Sequence, residues 1–283
     1  MLWRPDFDFE DDDILLLASQ GRGKTSAPAP FSPLQLPNLR IWIEVNLSCP
    51  TLNNNDPITT ANDLSGLGNN MGQSVVANKP VFNTNVLNGF PVATFTHTVP
   101  TDGHWMTSGY SPANESAPNV TFAAVFATNN PADGEIMLWA GNSAGNGFGP
   151  EDEISLSLGD ATLGNLIAAS YGGVNQGPES SFSPFNSTAF HIGVATFNQM
   201  TSDGATKAPT ITVDGTGGTN NTGTTTNNYA NYEAATFWGK PDASGTITRV
   251  WNGQMAALVV CAAALSAAQV TQLTNFWKAK YGL

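Results

Sequence analysis

Glu151, Asp152 and Glu153 are consecutive acids placed just ahead of an apolar run. Carboxylates two apart on a strand point to one face, the arrangement that glycoside hydrolysis requires of its acid and nucleophile. No further acid follows at Ile154, Ser155 or Leu156, so an exposed acidic turn is the preferred reading. A second candidate, Ala18-x4-Gly23-Lys24-Thr25, has the spacing of a relaxed phosphate-binding loop. That chemistry needs a helix at once, whose first amides hold the phosphate, and Ser26-Ala27-Pro28-Ala29-Pro30 forbids one. His97, His104 and His191 are too scattered for a metal cluster, and His191, inside an apolar run, reads as a hydrogen-bonded, half-buried residue rather than a base. Cys49 and Cys261 make neither a disulfide framework nor a metal site, and one bridge or two free thiols both stay open. With no Gly-x-Ser-x-Gly elbow either, the expectation is that the chain has no catalytic residues and is not an enzyme.

Aromatic rings offer a different chemistry. Trp105 and Tyr110 lie near a loop with Gly and Ser, and Tyr229 and Tyr232 lie in a stretch dominated by Asn and Thr. Ring faces of this kind stack on sugars while Asn and Asp side chains supply hydrogen bonds, although structural use of Trp and Tyr is commoner. A second group of rings stands at the start: Trp3, Phe7 and Phe9 alternate with acids and run into Asp11, Asp12 and Asp13. The period of two puts Phe7 and Phe9 on one side of an extended segment that could add to a partner's sheet edge or fill its pockets.

These residues must be positioned by a chain of unusual composition. Of its 283 residues only 11% are charged, less than half of the roughly 25% usual in soluble domains. The charge is replaced by 30 Thr and 29 Asn beside 28 Gly and 18 Pro, a mixture that favours strands and turns. A net charge of −12 with only 10 Lys and Arg argues against nucleic acid and against anionic membranes. No apolar run approaches the roughly 20 residues that span a bilayer, and the acidic start is not expected to act as a secretory signal. Residues 1–13 hold five of the twelve net negative charges, leaving −7 for the rest. The expected organisation is an acidic-aromatic arm at 1–17, a Pro/Gly/Ser-rich linker at 18–38 and one β domain at 39–283.

Within that domain, strands are expected at 39–45, 92–96, 120–127, 135–140, 153–158, 166–171, 189–197, 209–213, 234–238 and 253–261. Residues 214–231 are too poor in apolar side chains to bury anything and read as an exposed loop. Only the end reads as helix, with Ser266 as N-cap, apolar residues at 270, 273, 276 and 277, and Gly282 as the stop. Sequons at Asn46, Asn114, Asn119, Asn186 and Asn220 are expected by chance in so Asn- and Thr-rich a chain.

Several segments resemble a known family. Asp63-Leu64-Ser65-Gly66-Leu67-Gly68-Asn69, then Lys79-Pro80-Val81-Phe82 and Leu87-Asn88-Gly89-Phe90-Pro91-Val92-Ala93-Thr94-Phe95, are similar to a signature of concanavalin-A-like, laminin-G-type jelly rolls common in bacterial and bacteriophage proteins. Asn252 to Leu258, Ala264-Leu265-Ser266 and Ala279-Lys280-Tyr281-Gly282-Leu283 look like that family's closing strand, turn and terminal helix. Residues 190–197 and 211–215 resemble its paired middle strands. The resemblance implies an all-β, concanavalin-A-like jelly-roll sandwich with a short C-terminal helix and an extended N-terminal arm. It also implies neighbouring terminal strands, which would bring Cys49 and Cys261 near one another. Glu44 and Thr96 stand where family members often carry Asp, so a Ca2+ site that used those acids would be lost here, and no cofactor is expected. Asp63, Ser65, Gly66, Gly68 and Asn69 read as a structural turn in preference to a metal site, since glycines permit left-handed backbone and the polar side chains bond their own turn.

The function expected first is that of a bacteriophage virion protein, a head-decoration, head-fibre or tail-fibre subunit displayed on the virion surface. Its arm would dock on a capsid or tail protein, homo-oligomerisation would multiply weak contacts, and host glycans would be further partners. The alternative is a carbohydrate-binding module of a bacterial surface protein, and the third reading is a glycoside hydrolase.

Overall fold

The runs around Val120, His191 and Gly253 are apolar at nearly every position, which suits strands covered on both faces. A computed structural model of the chain shows them so. It describes residues 30–97, 103–111, 119–130, 136–141, 153–158, 165–172, 175–198, 209–221, 236–237, 240–241, 247–248 and 250–283. The arm and most of the linker, residues 1–29, lie outside the described residues, as do Glu151, Asp152, Tyr229 and Tyr232.

In chain order the strands are β1 (Leu39–Glu44), β2 (Thr60–Ala61), β3 (Met71–Gly72), β4 (Val81–Leu87), β5 (Phe90–Phe95), β6 (Met106–Ser108), β7 (Val120–Thr128), β8 (Ile136–Gly141) and β9 (Glu153–Leu158). They continue with β10 (Leu166–Gly172), β11 (Asn175–Phe182), β12 (His191–Phe197), β13 (Thr210–Val213), β14 (Thr216–Gly217) and β15 (Thr219–Asn221). The last are β16 (Thr236–Phe237), β17 (Lys240–Pro241), β18 (Ile247–Thr248) and β19 (Gly253–Cys261). A single helical turn, α1 (Val45–Ser48), follows β1, and α2 (Ala267–Tyr281) follows β19.

One sheet has eight strands in the order β14-β13-β12-β7-β19-β5-β4, with β1 also paired to β19. The other has nine, in the order β15-β11-β10-β9-β8-β16-β6-β3-β2. Alternation on β7 sends Phe122, Ala124 and Phe126 into the core between the sheets, and Ala123 and Val125 into a second cluster under α2. β19 divides likewise, Leu258 and Val260 inward, Val259 and Cys261 toward the helix. The nine-stranded sheet supplies Met71, Met106, Leu138, Ile154, Leu156 and Ala168 to the inter-sheet core, and none of its described residues joins the cluster under the helix. The all-β sandwich with a short C-terminal helix is the fold observed.

The helix is where its signals place it. Ser266 Oγ accepts from Gln269 N at 3.4 Å while Gln269 Oε1 accepts from Ser266 N at 2.9 Å, and Gly282 ends the helix at φ +70°. Leu273 and Trp277 are fully buried against the sheet, and Lys280 pairs with the fully buried Glu44.

Two readings of the sequence need correction, and a third point, left open there, is decided. The body starts before Leu39: Ser32 caps a 3₁₀ turn at Pro33–Gln35, Leu36 is buried, and Phe31 stacks edge-on to Phe276 with centroids 5.8 Å apart. Residues 214–221, read as loop, form a tight turn and two short strands, because backbone pairing to neighbouring strands holds β14 and β15 where burial cannot. Gly218 lies between the two, and a Cβ there would meet Ser181 O at 2.4 Å. The two cysteines belong to opposite faces of the eight-stranded sheet, Cys49 inward and Cys261 toward the helix, so both are free thiols and not a bridge. Burial pushes each thiol up to about 12.

Candidate functional site

The nine-stranded sheet lacks a covering helix among the described residues, and its β2–β3–β6 end carries an open groove of about 450 Å3. The register places Thr60 beside Gly72 and Gly72 beside Thr107, so these three share the face opposite to the core-facing Ala61, Met71 and Met106. Thr59 and Ser74 add hydroxyls to the lining, Asn70 adds an amide, and Gly72 and Gly109 leave room between them. The buried Gln73 and Ser108 complete the wall, Ser108 lying in the row of the core-facing Met71 with Oγ accepting from Tyr110 N at 3.2 Å. None of these lining residues carries a charge.

The wall is held by its own polar groups. Gln73, 4% exposed, donates from Nε2 to Trp105 O at 3.1 Å, accepts at Oε1 from Val75 N at 2.9 Å and donates from its backbone to Thr59 O at 2.9 Å. Trp105 N in turn donates to Asn78 O at 3.1 Å. Trp105, half-buried, is thereby tied by its backbone to Gln73 and Asn78. The row that carries Thr60 and Thr107 continues in backbone register through Thr236 to Trp139 and Ser155.

Of the four rings singled out in the sequence, Trp105 is tied by its backbone carbonyl to Gln73 of the lining but does not itself line the groove. Tyr110 does not offer a ring face: it is 5% exposed and packed in the inter-sheet core, where the strand geometry after β6 turns it inward. Tyr229 and Tyr232 lie outside the described residues. Glu153 opens β9 with its backbone paired to Tyr171 and Gly141, while Glu151 and Asp152 are not described.

Asp63 and its neighbours staple a loop to β1 near one end of the groove. Asp63 Oδ1 accepts from Trp42 N at 3.0 Å and Ser65 N at 2.9 Å, and Oδ2 accepts from Ser65 Oγ at 2.6 Å and Asn69 N at 3.0 Å. Ser65 Oγ and Asn69 Nδ2 also reach Arg40 O, and Gly66 and Gly68 take φ +85° and +77°. Each carboxylate oxygen thus carries two protein donors. Asp63 N donates to Asn70 Oδ1 at 2.8 Å, which ties the staple to the groove lining.

At the far edge of the other sheet, His191 Nδ1 lies 2.7 Å from Asp214 Oδ2, and Asp214 Oδ1 accepts from Ile192 N at 2.8 Å. Burial raises the Asp214 carboxyl, but the His191 and Ile192 hydrogen bonds, with the charges of His191 and Lys278, outweigh it and hold the group below the usual carboxylate range. Lys278 Nζ donates to Asp214 O at 2.9 Å, so the pair fastens the β13–β14 turn to α2. His104 is pushed down by burial, against an opposing backbone hydrogen bond, and its Nδ1 accepts from Thr96 N at 3.3 Å.

The described residues form an all-β sandwich with an open groove at the β2–β3–β6 end of one sheet. No family model matches the chain, and no curated protein matches it. Among solved structures, a botulinum neurotoxin type C chain, described in connection with cell entry dependent on two ganglioside molecules, has a TM-score of 0.53 at 12% identity over 84% of this chain and 51% of that one. Trypanosoma rangeli sialidase has a TM-score of 0.48 at 17% identity over 84% of this chain. A carbohydrate-binding domain, CBM40, of a Ruminococcus gnavus sialidase, bound to α2,3 sialyllactose, has 0.43 at 11% over 59% of this chain and 92% of that one. The chain spans about a third of the sialidase's length, 32%. The neurotoxin likeness shows the shared fold alone, and the other two, below 0.5, carry no argument about activity. The expectation that the chain is not an enzyme is nevertheless withdrawn, because glycoside hydrolases stand among the matched structures.

Proposed function

We propose that this chain is a carbohydrate-binding protein whose site is the groove over β2, β3 and β6. The observation that carries the reading is the groove's make-up: hydroxyl and amide side chains lining about 450 Å3, with the backbone of Trp105 tied to Gln73 of the lining. Such groups supply both donors and acceptors to sugar hydroxyls, and a volume in the ~300–1,000 Å3 range suits a small ligand. The ganglioside interaction named for the neurotoxin chain of like fold supports it. In a glycan-array experiment with the full chain, selective binding to a subset of sugars is the expected result, and no binding to any glycan overturns the reading.

Display on a larger particle, such as a phage virion, is a second reading, favoured by the concentration of five net negative charges with Trp3, Phe7 and Phe9 in residues 1–13. It makes the arm the anchor and the sandwich the exposed part. Deleting residues 1–30 should then abolish incorporation into the particle, and unchanged incorporation contradicts it.

A further inference from the structure

We infer that the groove selects neutral glycans and rejects anionic ones such as sialylated, sulfated or uronic-acid sugars; the inference rests on the carbohydrate reading of the same site. Carboxylates and sulfates leave water readily only for a cationic partner, most often a bidentate arginine, and an unpaired buried charge is costly. Among the described residues the lining offers none: Thr59, Thr60, Ser74, Thr107, Asn70 and Gln73 are all neutral. Lys79, which follows the 3₁₀ turn Val76–Asn78 at the groove's side, is not among the lining residues. Among the described residues, the charged residue hydrogen-bonded to the lining is an acid, Asp63, whose backbone N donates to Asn70 Oδ1. A net charge of −12 adds a long-range field that repels anions further.

The positive chemistry points the same way. A sugar ring needs mixed donors and acceptors for its hydroxyls and an apolar surface for its C–H face. The groove has the first in its hydroxyls and amides. For the second, the lining is flanked in sequence by Trp105, two residues before Thr107, and by Val75 and Val76, which follow Ser74 and are 51% and 75% exposed.

Gly72 gives the test its handle. It lies in the lining with no left-handed φ, and a Cβ added there meets only Thr59 O, at 3.9 Å, so Gly72→Leu fills the groove without displacing the backbone. The experiment presents the full chain, wild type, Gly72→Leu and Thr107→Ala, to immobilised pairs of neutral oligosaccharides and their sialylated or sulfated forms, lactose with 3′-sialyllactose among them, at 0.1 M and 0.5 M salt. The expected result is that the bound glycans are neutral, that each exceeds its anionic partner at least tenfold, that salt has little effect, and that both variants lose at least tenfold in signal. Preferential, salt-sensitive binding of the anionic members overturns the inference while leaving the carbohydrate reading intact. Binding to no glycan overturns both, and neutral binding that survives both variants overturns the assignment to this groove.

Discussion

The two sheets of the sandwich are built from the same kinds of strand and end in opposite states. The eight-stranded sheet is apolar on both faces: β7 is buried along its whole length, and α2 seats Leu273 and Trp277 on its outer side. The nine-stranded sheet sends apolar side chains inward, and at its β2–β3–β6 end Thr60 and Thr107 on the other side open into the groove. Burial is where stability comes from, and an uncovered polar face contributes little to it. The difference teaches that one sheet is covered on both faces to hold the fold, while the other leaves its β2–β3–β6 end open for the proposed site.

That division can be broken by substitution. The largest expected effect is on the covered side: Trp277→Ala removes a fully buried ring between α2 and the sheet and should cost about 3–5 kcal/mol in denaturant unfolding. A loss below 1 kcal/mol would mean that the helix is not the seal it looks to be. Next is Asp63→Ala, which strips the carboxylate from four donors and should cost about 2–3 kcal/mol, with Asp63→Asn milder because it keeps one acceptor oxygen.

A smaller effect should appear with pH. The Asp214 carboxyl titrates lower in the fold than when unfolded, so its contribution is complete above the ordinary value near 3.9 and is lost as pH falls through the lower folded value. Unfolding measured between pH 5 and pH 2 should therefore decline less steeply in Asp214→Asn than in the wild type, and parallel curves would exclude the His191 pair as a stabilising contact. The smallest change in stability belongs to the open sheet: Gly72→Leu should shift unfolding by no more than about 0.5 kcal/mol, since its new side chain enters open space.

Legibility in the sequence followed the same division. β7, β12 and β19 were readable because dense apolar runs are rare in so polar a chain, and α2 because Ser266, Gln269 and Gly282 are local signals. β15 was not, since nothing apolar marks it and its backbone bonds to β11 depend on a crossing between sheets. The groove was invisible for a related reason. Thr60, Gly72 and Thr107 lie on three strands of two or three residues each, and two threonines among 30 carry no signal until topology brings them together. Trp105 was singled out as a ring near a loop with Gly and Ser. Tyr110, chosen on the same ground five residues later, is core.

The most direct test of the account compares the wild type and Gly72→Leu on one array of neutral glycans, after unfolding curves have shown the two equally stable. The account predicts selective binding by the wild type and its loss in Gly72→Leu; equal binding by the two proteins would contradict it.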